Sequence, residues 1–479
     1  MNAGEKYDVL VLGSGTAGKL MAWTMAKEGR RTAVVGRKYI GGSCPNVACL
    51  PSKNVIHSAK VASLVGRHRE FGIETGPIAI DMAEVYARKR DMVEGIVQVH
   101  LDKYQAAGDE LILGDGTFVA PRTLHVALRD GGERTLTADR VFVNVGTHAT
   151  IPDTPGLREA KPMTHIEAQD LQRRPEHLIV LGGGYVGIEL GQALRRLGSR
   201  VTLITRDAQL AANEDADVAR SILQLFQDEG IDVLLGTHVL HVNGLSGGHV
   251  SLQLQSSTGR RTVEGTDILV ALGRTPNTTG IGLEKAGIEI TEKGHIRVND
   301  RLETTAPNVW AMGECAGSPY FTHVSEDDFD IIRQTLDGGH RTTADRLVPY
   351  CVFLDPELAR VGLNESQARE RGVAYRVASV PVDAAWRPWT LSERRGFIKT
   401  LIDVHSDRIL GFTAFGPEAG ELMGTVQLAM LARLPYTILR DTMFAHPTMA
   451  ETLKPLFMGV PQRLEDNVEQ LQYTQTSAD

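Results

Sequence analysis

Apolar segments alternate with glycine-rich turns at the start of the chain and predict a strand, a helix and a second strand. The segments are 7–12, 20–26 and 32–35, and a glycine turn lies between the first strand and the helix. The same order returns 169 residues later (182 − 13), as a strand at 178–181, a helix at 188–196 and a strand at 201–204. Such a strand–helix–strand unit is typical of a mononucleotide-binding fold. The pattern therefore predicts two of these folds.

Each of the two turns follows a strand, opens a helix and places three glycines at the spacing G-x-G-x-x-G. They are Gly13, Gly15 and Gly18 in the first turn, and Gly182, Gly184 and Gly187 in the second. The first glycine permits the tight turn, the second lets the backbone approach a pyrophosphate, and the third lets the helix pack on the strand. The helix N-terminus then faces the phosphates. Two such turns favour two bound dinucleotides over two purely structural turns.

Proline- and glycine-rich joints divide the rest of the chain. They occupy 146–156 and 273–277, and a last block from about residue 347 mixes strands such as 350–354 and 397–403 with a helix at 420–431. This block has no nucleotide turn, which favours an antiparallel sheet with helices. We divide the chain into residues 1–150, 151–272, 273–345 and 346–479.

Composition and charge narrow the class of protein. The chain has 479 residues, which at about 100–200 residues per domain corresponds to about three domains. Its 51 Lys and Arg against 59 Asp and Glu give a net charge of −8, so no general affinity for nucleic acid is expected. No apolar stretch reaches the roughly 20 residues that cross a bilayer, and the first residues do not resemble a signal peptide. We expect a cytoplasmic protein that binds neither nucleic acid nor membranes.

Two of the four cysteines, Cys44 and Cys49, lie five residues apart directly after the first nucleotide fold. Pro45 is typical of the first turn of a helix, and a slightly distorted turn would bring the two side chains together. A helix N-terminus and a neighbouring cation would favour a thiolate here. We interpret the pair as a redox disulfide beside a dinucleotide site. The alternatives are two buried reduced thiols or half of a zinc site, which would need further ligands.

Four segments resemble motifs of one known family. Segment 41–53 is similar to the redox-active disulfide motif of the class I pyridine nucleotide-disulfide oxidoreductases, the family of dihydrolipoamide dehydrogenase, glutathione reductase and mercuric reductase. Segment 304–314 resembles the second FAD motif of the family, and segments 352–357 and 445–451 resemble its dimerisation-domain motifs. The resemblance implies an α/β protein with two Rossmann-like dinucleotide-binding domains, for FAD and for NAD(P), and a C-terminal α+β dimerisation domain.

The resemblance also assigns cofactor-binding positions to this chain. FAD would be held by Gly13, Gly15, Gly18, Gly42, Ser43, Lys53, Gly146, Gly313 and Glu314, and NAD(P)H by Gly182, Gly184, Tyr185, Gly187, Arg206 and Gly273. Tyr185 occupies the place where some members use a tyrosine to cover the nicotinamide pocket. No resident metal is implied.

Four catalytic positions in the first half of the chain follow in the same way. Cys44 would be the thiol that exchanges with substrate, and Cys49 would be the thiol that contacts the flavin. Lys53 and Glu189 resemble the ion pair that the family places beside the flavin.

The last part of the chain supplies two more catalytic positions. His446 and Glu451 resemble the acid–base dyad that reaches the disulfide of the partner subunit. The histidine would take a proton as a thiolate forms, and the carboxylate would fix its tautomer. Because each site would then need both chains, the resemblance implies a homodimer.

Several positions depart from the family pattern. Glu314 stands in place of the usual Asp, and Gly36 and Arg37 end the second strand where an acid often contacts the ribose. In the second fold Thr205 stands in place of that acid, and Arg206 could pair with a 2′-phosphate. We therefore expect NADPH rather than NADH.

The departures also bear on the substrate. The tail 470–479 lacks the cysteine pair of mercuric reductases, and Trp23 stands where glutathione reductases place an Arg. The missing acid at Thr205 argues against dihydrolipoamide dehydrogenase. We expect electrons to pass from NADPH through the flavin and the disulfide to a small disulfide or related electrophile. The alternatives are a dihydrolipoamide dehydrogenase-like enzyme, a quinone reductase or NAD(P)H oxidase that uses the flavin directly, and a non-enzymatic redox sensor.

Overall fold

A computed structural model gives the fold and describes residues 4–463. Its strands are β1 Glu5–Leu12, β2 Thr32–Gly36, β3 Glu110–Ala120, β4 Thr123–Leu128, β5 Glu133–Val143, β6 Thr147–Ala149, β7 His177–Leu181, β8 Arg200–Ile204, β9 Asp232–Leu234, β10 His238–Leu245, β11 His249–Ser256, β12 Gly259–Gly265, β13 Asp267–Val270, β14 Arg274–Pro276, β15 Val309–Ala311, β16 Tyr350–Val352, β17 Glu357–Gly362, β18 Tyr375–Pro381, β19 Phe397–Asp403 and β20 Ile409–Gly416. Its α-helices are α1 Thr16–Lys27, α2 Ser43–Val47, α3 Cys49–Gly66, α4 Met82–Ala107, α5 His165–Gln169, α6 Tyr185–Arg196, α7 Ala216–Asp228, α8 Thr322–Leu336, α9 Glu365–Glu370, α10 Arg387–Thr390, α11 Ala419–Leu431, α12 Tyr436–Asp441 and α13 Leu453–Met458.

The first sheet is built around β1, which lies between the parallel strands β2 and β5. Val9 and Val11 of β1 pack against α1 and α4, whereas Leu10 and Leu12 face the opposite side of the sheet and share a core with β3, β4 and β5. Strand β15 returns from far along the chain and pairs in parallel with β5. The helix α1 therefore begins at the carboxyl end of the central strand, where open α/β sheets bind their ligands.

A second parallel sheet has the order β13-β7-β8-β9. Its central strands β7 and β8 are buried over residues 178–181 and 201–204, and α6 follows β7 after the glycine turn, as α1 follows β1. An antiparallel three-stranded sheet, β10-β11-β12, accompanies it. The two segments that connect this region to the first sheet lie side by side, because β6 and β14 form an antiparallel pair.

The C-terminal part forms a five-stranded antiparallel sheet in the order β16-β17-β20-β19-β18. Helices α11, α12 and α13 share one hydrophobic core with it. Several large apolar side chains on this part nevertheless remain exposed: Leu428, Leu431, Ile438, Met443 and Met458. An apolar surface of this kind is typical of a protein–protein interface.

These sheets confirm the predicted α/β class: the first sheet is mixed, because β4 runs antiparallel to β3 and β5, the second is parallel, and the C-terminal one is antiparallel. Predicted elements recur with small shifts; the first strand, for example, begins at Glu5 rather than residue 7. The four sequence boundaries stay a prediction, and the tail 470–479 lies outside the described residues. Within residues 4–463, every helix is too short or too polar to cross a membrane.

Candidate active site

The cysteine segment folds against the first glycine turn. Gly42 has φ 86° and a β-carbon there would lie 2.6 Å from the Cα of Gly15, so the close approach requires glycine. Helix α2 begins at the next residue, Ser43, and ends after one turn. Ala48, with φ −128° and ψ −102°, breaks the helical path before α3 starts at Cys49. This break is the distorted turn that the cysteine spacing anticipates.

Both cysteines are half-buried free thiols in this structure, and their pKa values differ in direction. A hydrogen bond from Cys44 lowers the pKa of Cys49 to about 6, against the effect of burial and with help from Thr322 and Lys53. The Cys49 Sγ lies 3.3 Å from the hydroxyl of Thr322, the first residue of α8. The hydrogen bond with Cys49, together with burial, raises the pKa of Cys44. These shifts favour Cys49 over Cys44 as the thiolate of the reduced pair.

Lys53 lies one helical turn after Cys49 and pairs with Glu189 of α6 across a Nζ–Oε2 distance of 2.8 Å. Glu189 is only 7% exposed, and its other carboxylate oxygen accepts from the backbone N–H of Phe353 at 2.7 Å. The pair thus joins the cysteine helix, the second nucleotide fold and the C-terminal part. This is the ion pair predicted from the sequence.

A second cation approaches the cysteine segment from α1. Lys19 is 9% exposed, and its Nζ lies 2.9 Å from Nε2 of His100 and 3.4 Å from the carbonyl oxygen of Gly41. Burial and the neighbouring Lys19 lower the pKa of His100 to about 4, so the imidazole is neutral at physiological pH and accepts from the ammonium. The charge of Lys19 opposes the rise in the pKa of Cys44.

The first glycine turn is closed on one side by Asn144. Gly13 has φ 102°, and a β-carbon there would lie 2.3 Å from the carbonyl oxygen of Asn144. The Asn144 side chain accepts from the N–H of Gly18 at 3.1 Å and donates to the carbonyl of Met312 at 2.7 Å. No side chain on the residue before α1 caps the helix. The turn and the end of β15 are thereby fixed around one helix N-terminus.

Glu314 follows β15 and is already engaged on its own chain. Its carboxylate accepts from the hydroxyl of Thr147 and lies 3.2 Å from Nε of Arg274. The two pairing partners come from β6 and β14, the adjacent connecting strands. Gly313, before it, donates to Asp328 at 2.5 Å. Gly146 and Gly273 lie next to these strands, and a β-carbon on either would meet no atom within 4 Å.

The second glycine turn is open towards its helix. Gly184 precedes α6 without a capping hydrogen bond, and a β-carbon there would meet no atom within 4 Å. Gly182 and Gly187 pack tightly within the turn. Tyr185 is the first residue of α6 and donates to Glu214 at 2.6 Å. Arg206 is exposed just beyond β8, next to the buried Thr205. An uncapped helix N-terminus with a nearby arginine fits an anionic dinucleotide.

His446 and Glu451 form the predicted pair, with Nδ1 2.9 Å from Oε1. The carboxylate also accepts from the N–H of Thr448 at 3.2 Å, and the His446 side chain is 63% exposed. Within residues 4–463 of one chain, no hydrogen bond or ion pair connects this dyad with Cys44 or Cys49. The structure therefore brings the cysteines together with Lys53 and Glu189 but leaves the dyad apart from them.

Residues 7–328 match the family described as pyridine nucleotide-disulphide oxidoreductase, and residues 348–457 match its dimerisation domain. The chain belongs to the pyridine nucleotide-disulfide oxidoreductases and is an enzyme of that class. The family implies a flavin and a pyridine nucleotide, and the dimerisation domain supports a homodimer. The two glycine turns and the exposed apolar C-terminal surface fit both statements.

Three relatives are similar over nearly the whole chain. The probable pyridine nucleotide-disulfide oxidoreductase RclA of Escherichia coli is 34% identical over 459 residues, which are 95% of this chain and 99% of RclA. A dihydrolipoamide dehydrogenase of Chaetomium thermophilum is 31% identical over 94% of this chain and 90% of its own, and a mercuric reductase of Streptomyces lividans is 32% identical over 95% and 96%.

The fold is also similar to a solved structure, the Cu(II) complex of the HOCl-induced flavoprotein disulfide reductase RclA from Escherichia coli. The TM-score is 0.86 at 33% identity, over 95% of this chain and 99% of that one.

Sequence reasoning missed Thr322, Lys19, Asn144 and Glu214, which contact the predicted site residues. Thr322 and Asn144 are far along the chain from Cys49 and Gly18, and nothing in the sequence relates them. Lys19 could have been noticed in the sequence, because it is a charged residue at the start of an otherwise apolar helix segment.

Proposed function

We propose that the protein is a flavin-dependent NADPH:disulfide reductase. The reaction is NADPH + H⁺ + RSSR → NADP⁺ + 2 RSH, with two electrons and two protons reaching the substrate sulfurs. The observation that carries the proposal is the Cys44–Cys49 pair, set directly beside one glycine turn and tied by Lys53 to the helix of the other. No direct flavin oxidase would need that dithiol.

FAD would be held by the first turn and the segments that close it, through Gly13, Gly15, Gly18, Gly42, Ser43, Lys53, Gly146, Gly313 and Glu314. NADPH would be held through Gly182, Gly184, Tyr185, Gly187, Arg206 and Gly273. When bound, the flavin supplies two-electron transfer between the nicotinamide and the cysteine pair. Every other step is carried by side chains of this chain and its partner copy.

Cys49 would serve as the flavin-side thiol because its thiolate is the stabilised one. Thr322, Lys53 and the Cys44 thiol all favour its ionised form. Cys44 would attack the substrate disulfide, form a mixed disulfide and release the first thiol. Cys49 would then attack the Cys44 sulfur, release the second thiol and restore the intramolecular disulfide. Lys19 would support the Cys44 thiolate during the attack.

His446, carried in by the partner copy, would accept the Cys44 proton and return it to the leaving thiol. Glu451 is placed for this role because it fixes His446 Nδ1 at 2.9 Å and leaves Nε2 for the reacting sulfur. This role requires the homodimer. A high exposed fraction of the imidazole in one chain agrees with a partner covering it.

NADPH is preferred over NADH in this proposal because of two neighbouring residues. Thr205 offers no carboxylate to a ribose 2′-hydroxyl, and the exposed Arg206 is free to pair with a 2′-phosphate. A pair of thiols that NADPH must keep reduced also fits the cytoplasm, where we place the protein.

Cu(II) is a second candidate electron acceptor. The RclA structure is a Cu(II) complex, and a thiolate pair is a soft donor suited to Cu(I). The dithiol would reduce two Cu(II) to two Cu(I) and become a disulfide, releasing two protons. In this reaction copper would act as a substrate.

The proposal is tested with Cys44→Ser, in which flavin reduction by NADPH should survive and turnover of small disulfides should stop. Cys351→Ser is the matched control, since Cys351 lies on β16 and the proposed electron path does not pass through it. The copper reaction is measured with a Cu(I)-specific chelator on the wild type, Cys44→Ser and Cys351→Ser. Undiminished disulfide turnover in Cys44→Ser would contradict the proposed electron path.

A further inference from the structure

A buried carboxylate outside the cysteine site is held by two hydroxyl donors and one guanidinium. The Glu214 side chain is fully buried, and it accepts from the Tyr185 hydroxyl at 2.6 Å and from the Tyr350 hydroxyl. The Nε of Arg360 lies 3.3 Å from its other oxygen and also donates to Tyr350. A buried charge is tolerated only when it is paired in this way. We call Tyr185, Glu214, Tyr350 and Arg360 the Glu214 cluster.

The cluster joins two parts of the molecule. Tyr185 opens α6 and Glu214 lies just before α7, both in the region of the second glycine turn. Tyr350 and Arg360 are register partners on β16 and β17 of the C-terminal sheet. The Tyr185 hydroxyl also lies 3.3 Å from that of Tyr350. The position of Tyr185 is therefore fixed from both sides.

The same cluster adjoins the cysteine pair through stacked rings. Tyr185 and Tyr350 have ring centroids 5.7 Å apart, and Tyr350 stacks on Phe321 at 5.5 Å with an interplanar angle of 9°. Phe321 precedes Thr322, whose hydroxyl contacts Cys49. Burial and the neighbouring Glu214 raise the pKa of Tyr185, so its hydroxyl stays a proton donor.

We propose that Glu214, supported by Tyr350 and Arg360, is a positioning residue that tethers Tyr185 across the nicotinamide pocket, so that the nicotinamide ring must break this contact to enter. The inference rests on the proposed function, in which Tyr185 helps to hold NADPH, and on the family resemblance that places Tyr185 over the nicotinamide pocket. The tether keeps the pocket closed while no nucleotide is bound. The free energy needed to break the tether weakens binding of the nicotinamide half of the nucleotide, whereas binding of the adenosine half is unaffected.

Tyr185→Phe tests this tether, because it keeps the ring and removes the hydroxyl. Tyr7→Phe is a matched control: Tyr7 is 2% exposed and donates to Glu110 at 2.5 Å, with Arg134 pairing the same carboxylate at 2.7 Å. It lies near the start of β1, at the opposite end of the strand from Gly13. Both variants lose one tyrosine–carboxylate hydrogen bond.

The readout is the dissociation constant of the FAD-loaded dimer for NADP⁺ and for 2′,5′-ADP, which lacks the nicotinamide. In Tyr185→Phe we expect NADP⁺ to bind about fivefold more tightly, with 2′,5′-ADP unchanged. The KM for NADPH should fall by a similar factor. Tyr350→Phe, which removes a second donor, should shift NADP⁺ binding in the same direction. Tyr7→Phe should alter neither ligand.

Failure of the tether and failure of the proposed function give different results. An unchanged ratio of NADP⁺ to 2′,5′-ADP affinity in Tyr185→Phe, or the same change in Tyr7→Phe, overturns the tether, whatever the enzyme reduces. If the enzyme prefers NADH to NADPH, the same comparison is made between the affinities for NAD⁺ and for ADP. A wild-type enzyme that binds NADP⁺ but reduces no disulfide overturns the proposed function and leaves the affinity test valid.

Discussion

Lys53 and Glu189, which are 136 residues apart in sequence, form an ion pair of 2.8 Å between the helix that begins at Cys49 and the helix that begins at Tyr185. The pair therefore links the helix that carries Cys49 to the helix that follows the second glycine turn. Glu189 is largely buried and also holds the backbone of Phe353.

Loss of Lys53 leaves the buried Glu189 carboxylate without its cation. We predict that Lys53→Met lowers the free energy of unfolding by about 2–3 kcal/mol and slows flavin reduction by NADPH. Lys60→Met is the control on the same helix, because Lys60 is 45% exposed and its partner Asp355 keeps Arg196. It should change stability by less than about 0.5 kcal/mol. If chemical denaturation gives equal losses in the free energy of unfolding for both variants, the Lys53–Glu189 pair contributes no more to stability than the exposed Lys60 pair.

We predict that the Thr322 hydroxyl helps to keep the pKa of the Cys49 thiol low in the reduced enzyme. The pKa of Cys49 is lowered to about 6 from the ordinary thiol value, so its thiolate exists above that pH and is lost as pH falls through it. Thr322→Val removes one stabilising hydrogen bond and should move the midpoint upward, whereas Thr322→Ser should retain it. The midpoint is read from thiolate absorbance and from alkylation rate against pH. A midpoint that is identical in all three proteins would exclude the Thr322 contact.

The dyad role of His446 predicts complementation between subunits. His446→Gln and Cys44→Ser should each abolish disulfide turnover as homodimers. When equal amounts are unfolded and refolded together, half of the dimers are hybrid, and one site in each is complete. Activity should return to about a quarter of the wild-type level. If refolded hybrids are present but inactive, the dyad does not act on the cysteines of the other chain.

Arg206 is predicted to select the 2′-phosphate. Arg206→Ala should raise the KM for NADPH by about tenfold and leave the KM for NADH unchanged, because only one ligand carries the extra anion. Arg200→Ala, at the start of the same strand, supplies the control, since Arg200 pairs with Asp232 on the surface. A parallel rise with both nucleotides would point to a structural role of Arg206.

Motifs with fixed spacing could be predicted from the sequence. The glycine turns, the cysteine pair and the His446–Glu451 pair depend on neighbours within a few residues, and the structure brings each set together. Contacts between distant segments could not be predicted: Cys49 and Thr322 are 273 residues apart, and the partners of Glu214 come from three segments. Tyr185 was expected at the nicotinamide pocket, whereas the carboxylate that holds it was not.

Glu314 shows how a motif residue gains partners that the motif does not specify. The sequence marks it only as an acid longer than the usual Asp. In the structure its carboxylate is held by Thr147 and Arg274, one from each connecting strand, because β6 and β14 pair beside it. That pairing depends on how the two sheets are arranged, which no local pattern records.

The most direct test of the account is an anaerobic titration of the FAD-loaded protein with NADPH, followed by its visible spectrum and by counting alkylatable thiols. The account predicts that the first equivalent of NADPH produces two new thiols at Cys44 and Cys49. A long-wavelength absorbance band from the Cys49 thiolate beside oxidised flavin should accompany them, and this band should be lost in Cys49→Ser. Bleaching of the flavin by the first equivalent, with no new thiols and no such band, would remove the cysteine pair from the electron path and contradict the account.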